Sequence, residues 1–182
     1  MKRYFILAVF AAVALFACSC KKDGVELFEG NYSFKTSGTV FAHRISEITD
    51  TTSTVPDSLT LKLVTESGQM DITPTSVGNG LLVTMNVTGG DLVVLQADVD
   101  GDELVVRPSS RNLSFTISSP ESNLVGTMLS HGIEPELTVS GNARRYDDIV
   151  MFSFCCSGTF SMDDTVYEIH DSRIDCRAKL NK

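Results

Sequence analysis

Apolar residues recur at every second position along most of the chain from Tyr32 onward. A period of two is typical of a β-strand that buries one face and leaves the other in water. The runs with this period cover positions 32–40, 59–63, 70–72, 81–87, 93–99, 104–106, 113–117, 137–139 and 150–156. The pattern predicts an all-β domain of about nine or ten strands.

Short links rich in Gly, Asp and Asn separate these runs, at positions 66–68, 78–80, 89–90, 100–101 and 162–164. Such residues favour tight turns, so we expect neighbouring runs to pair as antiparallel hairpins in a meander. Because the links are short and the first and last strands are long, we expect the meander to close into a barrel. A two-sheet sandwich is the alternative.

The last strand changes phase along its length. Tyr167 and Ile169 face inward in one phase, whereas Ile174 and Cys176 follow the other. An extra residue in a strand produces such a change, so we expect a β-bulge near positions 170–172.

Two segments lack the period of two. Ser119, Pro120 and an apolar stripe over 124–129 predict one short helix near 120–131, because serine caps a helix and proline fits its first position. The stretch Thr49–Ser58 has no apolar period and is expected to be an exposed loop.

The N-terminus carries basic residues at Lys2 and Arg3, followed by the apolar run Phe5–Ala17 and then by Cys18. This order is typical of a secretory signal peptide. Its 13 apolar residues are too few to cross a membrane as a helix, which needs roughly 20. We therefore expect the leader to be removed instead of remaining as a transmembrane anchor.

Two cysteines fit the end of a lipoprotein leader. Cys18, preceded by Leu-Phe-Ala, resembles the general bacterial lipobox, whereas Cys20, followed by Lys-Lys-Asp, resembles lipoproteins of the Bacteroidota. The resemblance implies a signal peptide over 1–19, ending at 17 or 19, and a lipid such as palmitate on Cys18 or Cys20. It also implies a tether over 20–29, a single β domain over 30–182, and an anchor in the outer membrane on its periplasmic or cell-surface side.

Charge narrows the range of partners. The chain has 15 basic and 23 acidic residues, and loss of Lys2 and Arg3 with the leader would leave a formal charge near −10. Nucleic acids and anionic lipid headgroups both select clustered Lys and Arg. The charge therefore argues against nucleic acid as a partner and against binding to anionic headgroups.

The residues Gly30-Asn31-Tyr32 resemble the Gly-x-Trp opening of lipocalins, and the chain as a whole resembles the calycin-like domains of Bacteroidota lipoproteins. The chain departs from that family because it contains no tryptophan and because the expected helix precedes three further strands. The resemblance implies a barrel that binds a small apolar ligand.

Three cysteines lie in the last two predicted strands, Cys155 and Cys156 on one and Cys176 on the next. An oxidising compartment would allow a disulfide between them. A hairpin turn at Met162-Asp163 would place Cys155 opposite position 170 and Cys176 opposite position 149. The two would then lie about six residues apart along the ladder, far beyond the roughly 7 Å between Cα atoms that a disulfide tolerates. We predict buried free thiols, with a disulfide as the alternative.

Metal sites are not predicted. The acidic stretch Asp98–Glu103 suggests calcium, but an EF-hand loop needs glycine at position 6 and glutamate at position 12, where this chain has glycine at 4 and Ser109 at 12. A hairpin turn at Asp100-Gly101 explains the same residues. The histidines lie far apart without the spacing of paired ligands, at positions 43, 131 and 170.

The run His170-Asp171-Ser172 contains the residue types of a hydrolase triad. Consecutive residues of a strand point to opposite faces, so these three cannot converge as base, orienter and nucleophile. No catalytic residue and no cofactor site is predicted, and we expect the chain not to be an enzyme.

Two further patterns concern the surface. The run Arg144–Asp148 has the charges of a salt-linked turn, with a small recognition patch as the alternative. Thr51, Ser58 and Thr165 each follow an aspartate in a pattern that resembles the O-glycosylation acceptor of the Bacteroidota.

The sequence therefore predicts a non-enzymatic, lipid-anchored exported protein that binds a small apolar ligand or a protein partner. The alternative is an outer-membrane assembly or surface interaction protein in a glycan-uptake or adhesion system. An accessible apolar cavity would favour a ligand, whereas an interior filled by Phe34, Phe115, Phe152 and similar side chains would argue against one.

Overall fold

The computed structural model describes residues 24–45, 57–76, 78–118, 132–162 and 164–182. These residues form one short helix, α1 (Gly24–Phe28), and antiparallel strands, which confirms the all-β prediction. The predicted helix near 120–131 and most of the predicted loop over 49–58 lie outside the described residues. The strands are β1 (Gly30–Arg44), β2 (Ser58–Leu63), β3 (Ser67–Pro74), β4 (Gly80–Val87), β5 (Leu92–Asp100), β6 (Glu103–Asn112), β7 (Phe115–Ser118), β8 (Gly132–Ile133), β9 (Glu136–Tyr146), β10 (Ile149–Met162) and β11 (Thr165–Leu180).

Eight of these strands close into a barrel-like ring, in the order β1-β3-β4-β5-β6-β9-β10-β11 and back to β1. The long strands β1 and β11 close the ring, with Tyr32 opposite Leu180 and Gly38 opposite Ile174. Gly89 and Gly101 adopt positive φ angles of 74° and 64° in the turns that precede β5 and β6. Glycine tolerates this conformation without steric cost, and the predicted hairpin turns lie where these residues stand.

The strand β2 breaks the simple meander. The first half of β1 pairs with β3, whereas its second half pairs with β2, so that Val40 lies opposite Leu61. On its other edge β2 pairs with β7, and Leu61 lies opposite Ile117. The ring therefore has a three-stranded extension, β2-β7-β8, which begins at β1.

The core lies inside the ring and follows the alternation of the sequence. In β10 the residues Val150, Phe152, Phe154 and Cys156 are all buried, whereas Met151 and Cys155 between them are exposed. The same pattern fills the interior with aromatic and branched side chains from the other strands, and Tyr32, Tyr167, Phe28, Phe115 and Phe152 are the largest fully buried ones.

Helix α1 packs against the β5 end of the ring, although the sequence predicted a tether over 20–29. Phe28 is completely buried, and its carbonyl oxygen accepts a hydrogen bond of 2.7 Å from the Tyr32 hydroxyl. The Arg145 guanidinium donates to the Leu27 carbonyl. The last carbonyl groups of a helix have no partner within the helix, and a basic side chain can satisfy them. The packed domain thus already includes residues that lie in the range predicted as tether.

The predicted bulge in β11 is present, because the register with β10 shifts between Cys156 and Gly158, opposite Ser172 and Ile169. The predicted register itself was wrong. Cys155 lies opposite Arg173 instead of position 170, and Cys176 lies opposite Phe152 instead of position 149. The turn centres one residue later than predicted, with Met162 opposite Thr165, and the bulge adds the remaining shift.

Candidate functional site

The wall of the ring opens between β5 and β6. These strands pair only from Ala97 to Asp100, against Val106 to Glu103. Beyond Val106 the register of β6 with β9 shifts, at the point where Pro108 stands. Proline has no N–H to donate to a neighbouring strand, and a bulge bends the strand that carries it. The chain therefore leaves β5 and continues as β7, which pairs with β2.

A cavity of about 80 Å³ lies in this opening. Most of its lining is apolar and comes from the ring strands and from the links at either side of the opening. Its apolar lining residues are Leu63, Met85, Val93, Leu95, Leu113, Val139, Phe154 and Ile174, and its polar ones are Thr36, Glu66, Arg111 and Asn112. Val64 and Leu92 add exposed apolar surface next to Leu63 and Val93 in the chain. We call this cavity and its lining the β5–β6 opening.

Arg111 contributes a cation to the β5–β6 opening. One of its terminal nitrogens, Nη2, donates to the carbonyl oxygen of Val94 on the unpaired part of β5. Its Nε is buried and has no hydrogen-bond partner in the described part of the chain, and the same holds for the hydroxyl of Ser109. Buried polar groups are nearly always hydrogen-bonded, so these two mark a place where a further partner is expected.

Glu66 contributes a carboxyl group to the same opening. Its backbone N–H donates to the Thr36 hydroxyl over 2.9 Å, which fixes the link between β2 and β3. Burial raises the pKa of the Glu66 carboxyl above its usual value. The pKa of the fully buried Cys176 is raised mainly by burial and, to a smaller extent, by the charge of Glu66.

The two charges do not neutralise each other. Among the ion pairs of the described residues, none joins Glu66 or Arg111 to an opposite charge within 4.0 Å. Half-buried charges lose part of their hydration and gain most from an opposite charge or a hydrogen bond. The opening thus combines an apolar floor with one donor cation and one acceptor anion that lack charged partners.

Two of the three described thiols, Cys156 and Cys176, are buried. Burial is the main cause that raises the pKa of Cys176 to about 12 and that of Cys156 to about 11. All three described cysteines are free, and the prediction of buried thiols is confirmed for Cys156 and Cys176. For Cys155 it was wrong, because the alternation of β10 turns this side chain outward.

Several residues singled out in the sequence lie outside the described residues, namely Cys18, Cys20, Thr51 and His131. Ser58 is the exposed first residue of β2, and Thr165 is the half-exposed first residue of β11. Nothing in the structure brings Ser58 or Thr165 to the β5–β6 opening.

The remaining histidines are exposed on strands. His43 lies opposite Glu168 on β11, and the Nε2 atom of His170 lies 2.9 Å from a carboxylate oxygen of Glu168. Ser172 is buried and donates to the carbonyl of His170, so this serine and the exposed imidazole do not face each other. Within the described ranges no three His, Cys, Asp or Glu side chains cluster closely enough to hold a metal ion.

The two charged runs, Asp98–Glu103 and Arg144–Asp148, both contain turns. Asp100 lies opposite Glu103 across the turn at Gly101, as the hairpin interpretation predicts. Arg144 pairs with Glu103 at 2.6 Å, and Arg145 donates to the carbonyl of Asp147 over 2.7 Å.

The sequence reasoning missed the β5–β6 opening. The available signal was Pro108 just after the predicted run 104–106, followed by Ser109 and Arg111 at positions in phase with the inward-facing run 113–117. Proline within a strand run indicates an edge or a bulge, and polar residues at inward positions indicate an incomplete core.

Comparisons with known protein families, with curated proteins and with solved structures find no match to this chain. Across the described residues, none of the helical segments has the length and apolar character needed to cross a membrane.

Proposed function

We propose that this chain is a non-enzymatic, lipid-anchored exported protein that binds a small ligand with an apolar end at the β5–β6 opening. The observation that carries the proposal is the apolar cavity itself, which Glu66 and Arg111 flank without an ion pair to any residue that the structure describes. An apolar pocket with a few unpaired polar groups is the usual form of a ligand site. The lipid anchor on Cys18 or Cys20 remains a proposal from the leader sequence.

The size of the cavity sets the mode of binding. Pockets that bind drug-sized ligands measure roughly 300–1,000 Å³, several times the 80 Å³ of this opening. The phenylalanines Phe34, Phe115, Phe152 and Phe154 are each at most 5% exposed and fill the interior. This filled interior argues against a ligand inside the ring, as in a wide lipocalin-type cup. The proposal is therefore confined to one small apolar group at the opening in the wall.

Methyl NMR under xenon pressure tests the proposal. Xenon enters apolar cavities of this kind, and the methyl group of Met85 lines the opening whereas the fully buried Met70 does not. We expect xenon to shift the Met85 methyl signal and to leave the Met70 signal in place. Equal shifts of both signals, or no shift of either, would contradict a specific apolar site in the opening.

A second candidate function is supported by the edge of β5. Residues 92–96 are not paired with β6, and Leu92 next to the opening is 60% exposed. An unpaired edge with apolar surface is the kind of feature to which an extended strand of a partner protein can add. This alternative is an outer-membrane assembly or surface interaction protein, of the type used in glycan uptake or adhesion.

A photoreactive amino acid at Leu92 in living cells distinguishes this alternative. A single discrete adduct that disappears when the reactive group is moved to the distant exposed residue Phe41 would favour a partner protein. The same smear of adducts from both positions would argue against one.

A further inference from the structure

We infer that the β5–β6 opening binds a free α-amino acid with a small apolar side chain, whose carboxylate contacts Arg111 and whose ammonium group contacts Glu66. The inference rests on the proposed function and names the ligand class of that same site. Three properties of the opening lead to it, namely its volume, its two unpaired charges and the position of these charges beside the apolar lining.

The volume selects the apolar part of the ligand. The opening has a volume of about 80 Å³. This space suits the three or four carbons of a valine, leucine or isoleucine side chain. It is too small for an aromatic ring, because a cavity of roughly 150 Å³ is the size known to admit benzene.

The charges select the polar part of the ligand. Arg111 lines the opening, and the terminal nitrogens of a guanidinium can donate two parallel bonds to a carboxylate. Its existing bond to the Val94 carbonyl uses only Nη2 and holds the side chain across the opening.

Glu66 excludes a simple carboxylic acid as the best ligand. A ligand with a carboxylate alone would bring a second anion beside the half-buried Glu66 carboxyl, and like charges at such a site repel. A ligand with an ammonium group alone would give Arg111 no anionic partner. An α-amino acid carries both charges on one carbon, directly next to its side chain, and so matches both groups and the apolar floor at once.

Isothermal titration of the full chain, purified in a mild detergent, tests the inference with ligands that differ by one group. We expect L-valine and L-leucine to bind. Glycine lacks the side chain, N-acetyl-L-valine lacks the ammonium group and L-valinamide lacks the carboxylate, so each should bind at least tenfold more weakly. Equal affinity for L-valine and any of these three would overturn the inference, and this result does not depend on any variant being folded.

Variants of the protein test the same contacts by removing the charge of Arg111 or of Glu66. Arg111→Gln and Glu66→Gln should each weaken L-valine binding at least tenfold. Arg107→Gln is the matched control, because Arg107 pairs with Asp98 outside the opening, and it should leave the affinity unchanged. If Arg107→Gln weakens binding as much as Arg111→Gln, the assigned contact is wrong.

The two proposals fail separately. A shift of the Met85 methyl signal by xenon, without any heat from L-valine, would leave the proposed binding site standing and overturn the amino-acid ligand. The absence of both effects would overturn the two together.

Discussion

Replacement of Phe28 by alanine tests whether α1 is part of the packed domain. A helix of five residues is too short to be stable alone, so its position depends on what it buries. Phe28 is 0% exposed and belongs to the same buried cluster as the ring interior. Truncation of a buried phenylalanine costs about 3–5 kcal/mol, a large part of the roughly 5–15 kcal/mol that stabilises a domain.

For a chain of this size, 1 kcal/mol corresponds to roughly 2–4 °C in melting temperature, so Phe28→Ala should lower Tm by roughly 6–20 °C. Thermal unfolding followed by circular dichroism measures the change. Phe41→Ala is the matched control, since Phe41 is 56% exposed, and it should alter stability by no more than about 0.5 kcal/mol. If Phe28→Ala were as mild as this control, α1 would not contribute to the core. The packed domain would then begin only at Gly30, after the predicted tether.

Three other predictions concern the wall of the ring. A thiol reagent at pH 8 should modify the exposed Cys155 quickly. It should modify Cys176 only after unfolding, because burial raises the Cys176 pKa to about 12. Rapid loss of both thiols in the folded protein would contradict this expectation. Gly141→Ala should destabilise the protein by about 1–3 kcal/mol in urea titrations, because a Cβ there would overlap the backbone of β10. Gly132→Ala should be neutral, because the nearest atom to a Cβ there, the Phe115 carbonyl oxygen, is 3.8 Å away. The raised pKa of Glu66 means that the folded state binds more protons than the unfolded state between pH 4.5 and that raised value. Stability should therefore fall as pH rises through this window, and Glu66→Gln should flatten that part of the curve of Tm against pH.

The alternation of residues was sufficient to predict the strands and their buried faces. In β10 every second residue from Val150 to Cys156 is buried, because a strand has only two faces and one of them packs inside the ring. The phase change in β11 likewise predicted the bulge between Ile169 and Ser172. These features depend on short segments of the chain, which is why a single sequence reveals them.

Pairing between distant strands could not be predicted in the same way. The register of β10 and β11 differs from the predicted register because a turn centred one residue later moves every opposite pair by two positions. The switch of β1 from β3 to β2 and the departure of β6 from β5 depend on which partner is available in space. The β5–β6 opening results from that second switch, and Pro108 indicates locally only that β6 is interrupted, without showing which neighbour it leaves.

Helix α1 shows a similar limit. The segment Gly24–Phe28 is too short to display a period, and its burial depends on groups far along the chain, such as the Arg145 side chain and the end of β5.

A crystal of the full chain under xenon pressure would show whether the β5–β6 opening admits an apolar ligand. We expect one well-occupied xenon atom in the β5–β6 opening, in contact with Leu63, Met85 and Val93. Xenon bound only at other places, or an opening closed by the side chains of Leu113 and Arg111, would contradict the claim that this opening is a binding site.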